Sequence, residues 1–127
     1  MRKKKILVVD DEIDFLKVIK LRLEVNGYEV ITAYDGEEAL KKLETEKPDA
    51  LLLDILMPKI DGLGILKKVR EENKNLPIFI MTAFSNEERY NLANKFNASG
   101  FILKTSDLQK EVDNINSILS VSEEKKK

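Results

Sequence analysis

Apolar residues along this chain fall in short unbroken runs, with helical stretches between them. Ile6-Leu7-Val8-Val9, Ala50-Leu51-Leu52-Leu53, Ile78-Phe79-Ile80-Met81 and Phe101-Ile102-Leu103 contain no polar residue. A strand with one wet face alternates, so unbroken runs of this length suit strands covered on both faces of a parallel sheet. Residues 29–33 alternate less cleanly, but Val30-Ile31-Thr32 favours a strand. Between the runs, apolar positions recur at helical spacing. Ile13, Leu16, Ile19 and Leu23 mark a helix over 12–26, and Gly27 stands where a left-handed cap is wanted. Asp35 can cap a helix over 36–46 with Ala39, Leu40 and Leu43 inward, and Pro48 separates it from the next strand. Leu63, Leu66 and Val69 mark a third helix, and Pro77 opens the fourth strand. The stretch 86–97 has only Leu92, Ala93 and Phe96 to bury, which predicts the loosest helix. Leu108, Val112, Ile115 and Leu119 form the stripe of the last one. Five strands alternating with five helices predict an α/β fold, a doubly wound parallel sheet with helices on both faces.

Right-handed crossovers place the carboxyl ends of all the strands along one edge, where such sheets bind ligands. That edge then collects Asp10 and Asp11 after strand one, Asp54 after strand three, Thr82 after strand four and Lys104 after strand five. Asp54 stands at the carboxyl end of a central, uniformly apolar strand, just before Pro58 and the Asp61-Gly62 turn pair. Carboxylates crowded in low dielectric repel, so they either hold protons or share a hard cation. Oxygen donors alone suit Mg²⁺, which keeps several waters and takes one or two protein carboxylates. The ammonium of Lys104 and the hydroxyl of Thr82 complete a set suited to a phosphoryl group. A carboxylate can itself attack phosphorus and become an aspartyl phosphate, and Asp54 is the best placed to do so.

Composition narrows the remaining classes. The chain has 127 residues, one domain's worth. Its 22 basic and 23 acidic residues give a net charge of −1, without the basic excess of a nucleic-acid-binding surface. No cysteine is present, which excludes disulfides and thiol chemistry and fits a reducing cytoplasm. No histidine is present either, so imidazole catalysis, imidazole metal ligation and a phosphohistidine carrier are excluded. No apolar run approaches the roughly 20 residues that span a membrane. The basic start, Arg2-Lys3-Lys4-Lys5, reads as a solvated lead-in to the first strand rather than a signal peptide.

Val8-Val9-Asp10-Asp11-Glu12, Asp54 with Met57-Pro58 and Asp61-Gly62, Thr82-Ala83 and Lys104 together resemble the receiver domain of two-component response regulators, over residues 5–120. The resemblance implies a flavodoxin-like sheet of strand order 2-1-3-4-5. It implies that Asp54 is the phosphoacceptor, charged by a sensor histidine kinase or a phosphotransfer protein. Asp11, Asp54 and the backbone carbonyl of Leu56 would be direct Mg²⁺ ligands, with Asp10 acting through water. Thr82 would turn toward the phosphoryl group, Lys104 would pair with it, and Phe101 would be the aromatic that moves on activation. The output would be a downstream protein target bound through the helix over 86–97, the fifth strand and the last helix, with a phosphorylation-dependent homodimer as a further partner. Such a domain is a switch that assists its own phosphorylation and dephosphorylation rather than an enzyme, and it touches neither membrane nor nucleic acid directly.

Three departures modify the expectation. Phe101 lacks the hydroxyl of the tyrosine often found there, so a switch through that ring works by packing alone. Thr105 stands where the family commonly has proline in a cis bond, and a cis Lys104-Thr105 peptide would cost about 2.5–4 kcal/mol. Leu56 and Phe84 flank the site with apolar bulk that offers an attacking water no partner, which predicts a long-lived phosphoryl group. Two other classes make different demands on these residues. A phosphorylation-independent interaction module on the same fold would be expected to lack an acid or the lysine. A phosphatase-like hydrolase would need a second acid two residues after Asp54, where Leu56 stands. The receiver domain is expected over 1–121 and a frayed charged tail over 122–127. With eight residues after Leu119, the chain is either a stand-alone receiver or part of a longer regulator.

Overall fold

The computed structural model describes residues 3–55, 62–82, 91, 94–104 and 107–125. Five parallel strands, β1 (Lys5–Val9), β2 (Glu29–Ala33), β3 (Ala50–Asp54), β4 (Ile78–Thr82) and β5 (Gly100–Leu103), form one sheet in the order β2-β1-β3-β4-β5. The described helices are α1 (Ile13–Val25), α2 (Gly36–Glu46), α3 (Gly62–Glu72) and α4 (Leu108–Lys125). The helix expected over 86–97 lies largely outside the described residues. No helix among the described residues is long and apolar enough to cross a membrane.

Strand periodicity sorts the core into two layers. Ile6, Val8, Ala50, Leu52, Phe79, Met81 and Ile102 face α1 and α4, meeting Leu16, Ile19, Leu23, Val112, Ile115 and Leu119. The intervening residues, Leu7, Val9, Leu51, Leu53, Ile78 and Ile80, face α2 and α3, meeting Ala39, Ile65, Leu66 and Val69. Every residue of β3 and of β4 is buried, which is why neither strand alternates in sequence.

Local signals explain the boundaries. Asp35 accepts a hydrogen bond from the Glu38 N–H and caps α2, and Gly27 takes φ 95° after α1. Ile13, expected on the inward stripe, is 53% exposed. It is the first residue of α1, ahead of the buried Leu16, Ile19 and Leu23 stripe. The last helix continues to Lys125, past the frayed end expected at 121, through glutamates and a lysine that favour helix.

Candidate functional site

Register brings the acids together before any side chain is considered. Val9 pairs with Leu53, so Asp10 and Asp54 follow side by side at the carboxyl edge. The Asp10 N–H donates to the Ala33 carbonyl (3.1 Å) and the Ile55 N–H to the Met81 carbonyl (3.3 Å), carrying the sheet past its last paired residues. The Lys104 N–H donates to the Thr82 carbonyl (2.9 Å), which sets the end of β5 beside the end of β4. Period-two alternation then points Asp10, Asp54 and Lys104 to the α1–α4 face, continuing Val8, Leu52 and Ile102. Thr82 continues Ile78 and Ile80 on the opposite face.

The Lys104 ammonium sits among three carboxylates. It lies 2.8 Å from Asp10 Oδ2 and 3.3 Å from Asp54 Oδ2, and it also pairs with Glu12. Asp10 is fully buried, and Asp54 and Thr82 are 6% and 7% exposed. Asp10 Oδ1 accepts the Glu12 N–H at 2.9 Å. Its Oδ2 has the ammonium close by as an ion pair but no aligned hydrogen bond. Burial, reinforced by the nearby Asp54 charge, pushes the Asp10 carboxyl up to about 6. Burial also works against the charge of Lys104, but its pairing with Asp10 and Glu12 outweighs that and raises its pKa above the ordinary lysine range.

Oxygen ligands of Asp10, Glu12 and Asp54 lie within 4.8 Å of one another. A buried carboxylate oxygen lacking a directed partner, in a cluster of hard oxygen donors, fits a small divalent cation. Asp11, expected as a direct ligand, is exposed in the bend after β1 and is not in that cluster. Phe101 is half-buried against the α2–α3 layer, on the same face as Thr82. Leu56, Phe84 and the Lys104-Thr105 peptide lie outside the described residues.

Two contacts escaped the sequence reading. Glu12 reaches Lys104 although its side chain is 61% exposed, and the Phe15 ring centroid is 4.7 Å from the ammonium. Only their places at the start of α1, Glu12 as its N-cap and Phe15 in its first turn, hinted at either. Gly62 is also more than a turn residue. A β-carbon there would stand 2.3 Å from the Asp54 carbonyl oxygen, so α3 starts directly against the backbone of the site.

A flavodoxin-like sheet with buried acids and a lysine at its carboxyl edge defines a small class of α/β proteins. The chain belongs to the response regulator receiver domain family, whose model matches residues 6–116, and is the receiver domain of a two-component response regulator. It is 42% identical over 120 residues to the alkaline phosphatase synthesis transcriptional regulatory protein PhoP of Bacillus subtilis, matching 94% of this chain and 50% of that protein. Among solved structures it resembles a CheY-like response regulator receiver domain protein of Methanospirillum hungatei (TM-score 0.92, 28% identity, 98% of this chain and 99% of that one). The chemotaxis protein CheY4 of Vibrio cholerae is also similar (TM-score 0.86, 29% identity, 92% and 99% covered). The chain spans half or less of the length of the first curated relatives it matches, 50% of one and 34% of another.

Proposed function

We propose that this domain is a phosphorylation switch in which Asp54 receives a phosphoryl group from the phosphohistidine of a sensor histidine kinase or a phosphotransfer protein. The observation that carries the reading is Lys104 meeting Asp10 and Asp54 in a nearly dry cleft. An Asp54 carboxylate oxygen bonds to phosphorus while the phosphorus–nitrogen bond of the donor breaks, its electron pair returning to the imidazole. Lys104, already 3.3 Å from Asp54, is on hand to neutralise the incoming oxygens. Asp10, Asp11 and Asp54, with the Leu56 carbonyl, would hold Mg²⁺, and Glu12 joins them as a candidate because its carboxylate lies within the same cluster. When bound, the ion would supply positive charge against the phosphoryl oxygens.

Thr82 and Phe101 share the opposite face of the sheet, which supports a switch in which the hydroxyl moves toward the phosphoryl group and the ring follows. A protein target binding the 86–97, β5 and α4 surface in one state only would shift the population. In this reading residues 1–121 form the switching unit, working in the cytoplasm, and direct nucleic-acid contact is not among its tasks.

Acetyl phosphate with Mg²⁺ tests the proposal by intact-protein mass spectrometry. One added phosphoryl group, lost in Asp54→Asn, supports the switch. Continuous phosphate release would mark a hydrolase, and no change would mark an interaction module. Either of those outcomes overturns the reading.

A further inference from the structure

In the proposed reading, the three acids that hold Lys104 also serve the cation and the phosphoryl group. Once a divalent cation or a phosphoryl group enters the cleft, Asp10, Glu12 and Asp54 are drawn to the ion or modified, and their grip on the ammonium weakens. One contact to Lys104 does not depend on them. Phe15 lies on α1, packs against the same layer that Asp10, Asp54 and Lys104 extend, and holds its ring centroid 4.7 Å from the ammonium. The Lys104 side chain is 6% exposed, so the contact is made with little water to screen it. An ammonium over a ring face is attracted by the ring quadrupole, most strongly when desolvated.

We propose, resting on the assignment of Asp54 and Lys104 above, that Phe15 is a positioning residue that keeps the Lys104 ammonium at Asp54 during phosphoryl transfer. A ring suits this task better than a fourth acid. It attracts the ammonium without adding a formal negative charge that would repel the phosphoryl oxygens, and it is a poor ligand for a hard cation. Its position is set by the α1 packing and not by the cleft, so the contact survives when the carboxylates are engaged.

The test is the rate of acetyl phosphate-dependent phosphorylation with Mg²⁺, taken well below the melting temperature of each variant. Phe15→Leu should slow the reaction roughly 3- to 30-fold, the range a desolvated cation–π contact supports. Phe15→Tyr keeps the ring face and should stay within about twofold of the parent. In a Lys104→Met background, Phe15→Leu should cause little further loss, since the partner is already gone. Equal losses in the Leu and Tyr variants, or an undiminished loss in the Lys104→Met background, would assign the ring to packing alone and overturn the proposal. Phosphorylation of Phe15→Leu at the parent rate, with Lys104→Met slowed, would overturn it as well and leave the site assignment standing. An unaffected Lys104→Met protein would instead remove the site assignment itself.

Discussion

Asp10→Asn should make the ion-free protein more stable, although it deletes a buried ion pair. Asp10 is fully buried, and its carboxyl is pushed up to about 6 from 3.8, chiefly by burial. A carboxyl that holds its proton more firmly folded than unfolded pays for ionisation in the fold. The penalty is absent below about pH 4 and complete above about pH 6, because the unfolded chain ionises first. Two pKa units correspond to about 3 kcal/mol at neutral pH. Asparagine keeps Oδ1 for the Glu12 N–H but sets an amide N–H about where Oδ2 stood, 2.8 Å from the ammonium. Donor facing donor removes part of the gain, leaving about 1–2 kcal/mol. For a domain of this size that raises Tm by roughly 3–8 °C. Thermal unfolding in EDTA at pH 7.5 and at pH 4 is the assay, and the gain should vanish at the lower pH. A variant less stable than the parent at pH 7.5, or a gain that persists at pH 4, refutes the reasoning. Mg²⁺ should stabilise the parent more than the variant, since the ion relieves the same charge.

Other outcomes follow from the same contacts. Lys104→Met leaves Asp10 and Asp54 without their cation and should cost about 3–5 kcal/mol in EDTA, with Mg²⁺ restoring part of it, as denaturant titration would show. Gly62→Ala drives a β-carbon into the Asp54 carbonyl and should cost about 1–3 kcal/mol while weakening Mg²⁺ binding, so unchanged affinity by calorimetry would contradict the close approach. Leu56→Asn with Phe84→Glu should speed the spontaneous decay of phosphoryl-Asp54 by giving water a polar partner, and equal decay rates would show that these flanks do not guard the bond.

Five uninterrupted or β-branched runs, the Asp35 cap, the Gly27 turn and the placing of Asp10, Asp54, Thr82 and Lys104 at strand ends were all legible in the sequence. Each depends on local rules: unbroken apolar runs, period-two alternation, and cap chemistry within a few residues. The same alternation even divides the site, since Asp10, Asp54 and Lys104 extend one face while Thr82 and Phe101 belong to the other. What tertiary packing alone decided is distance. That Lys104 reaches Asp10 across 94 positions of chain, that Glu12 rather than Asp11 turns to the ammonium, that Phe15 lies against it, and that Gly62 abuts the Asp54 carbonyl all depend on how strands and helices seat on one another. Periodicity says which face a side chain leaves from. Only close packing of remote segments says what it meets there.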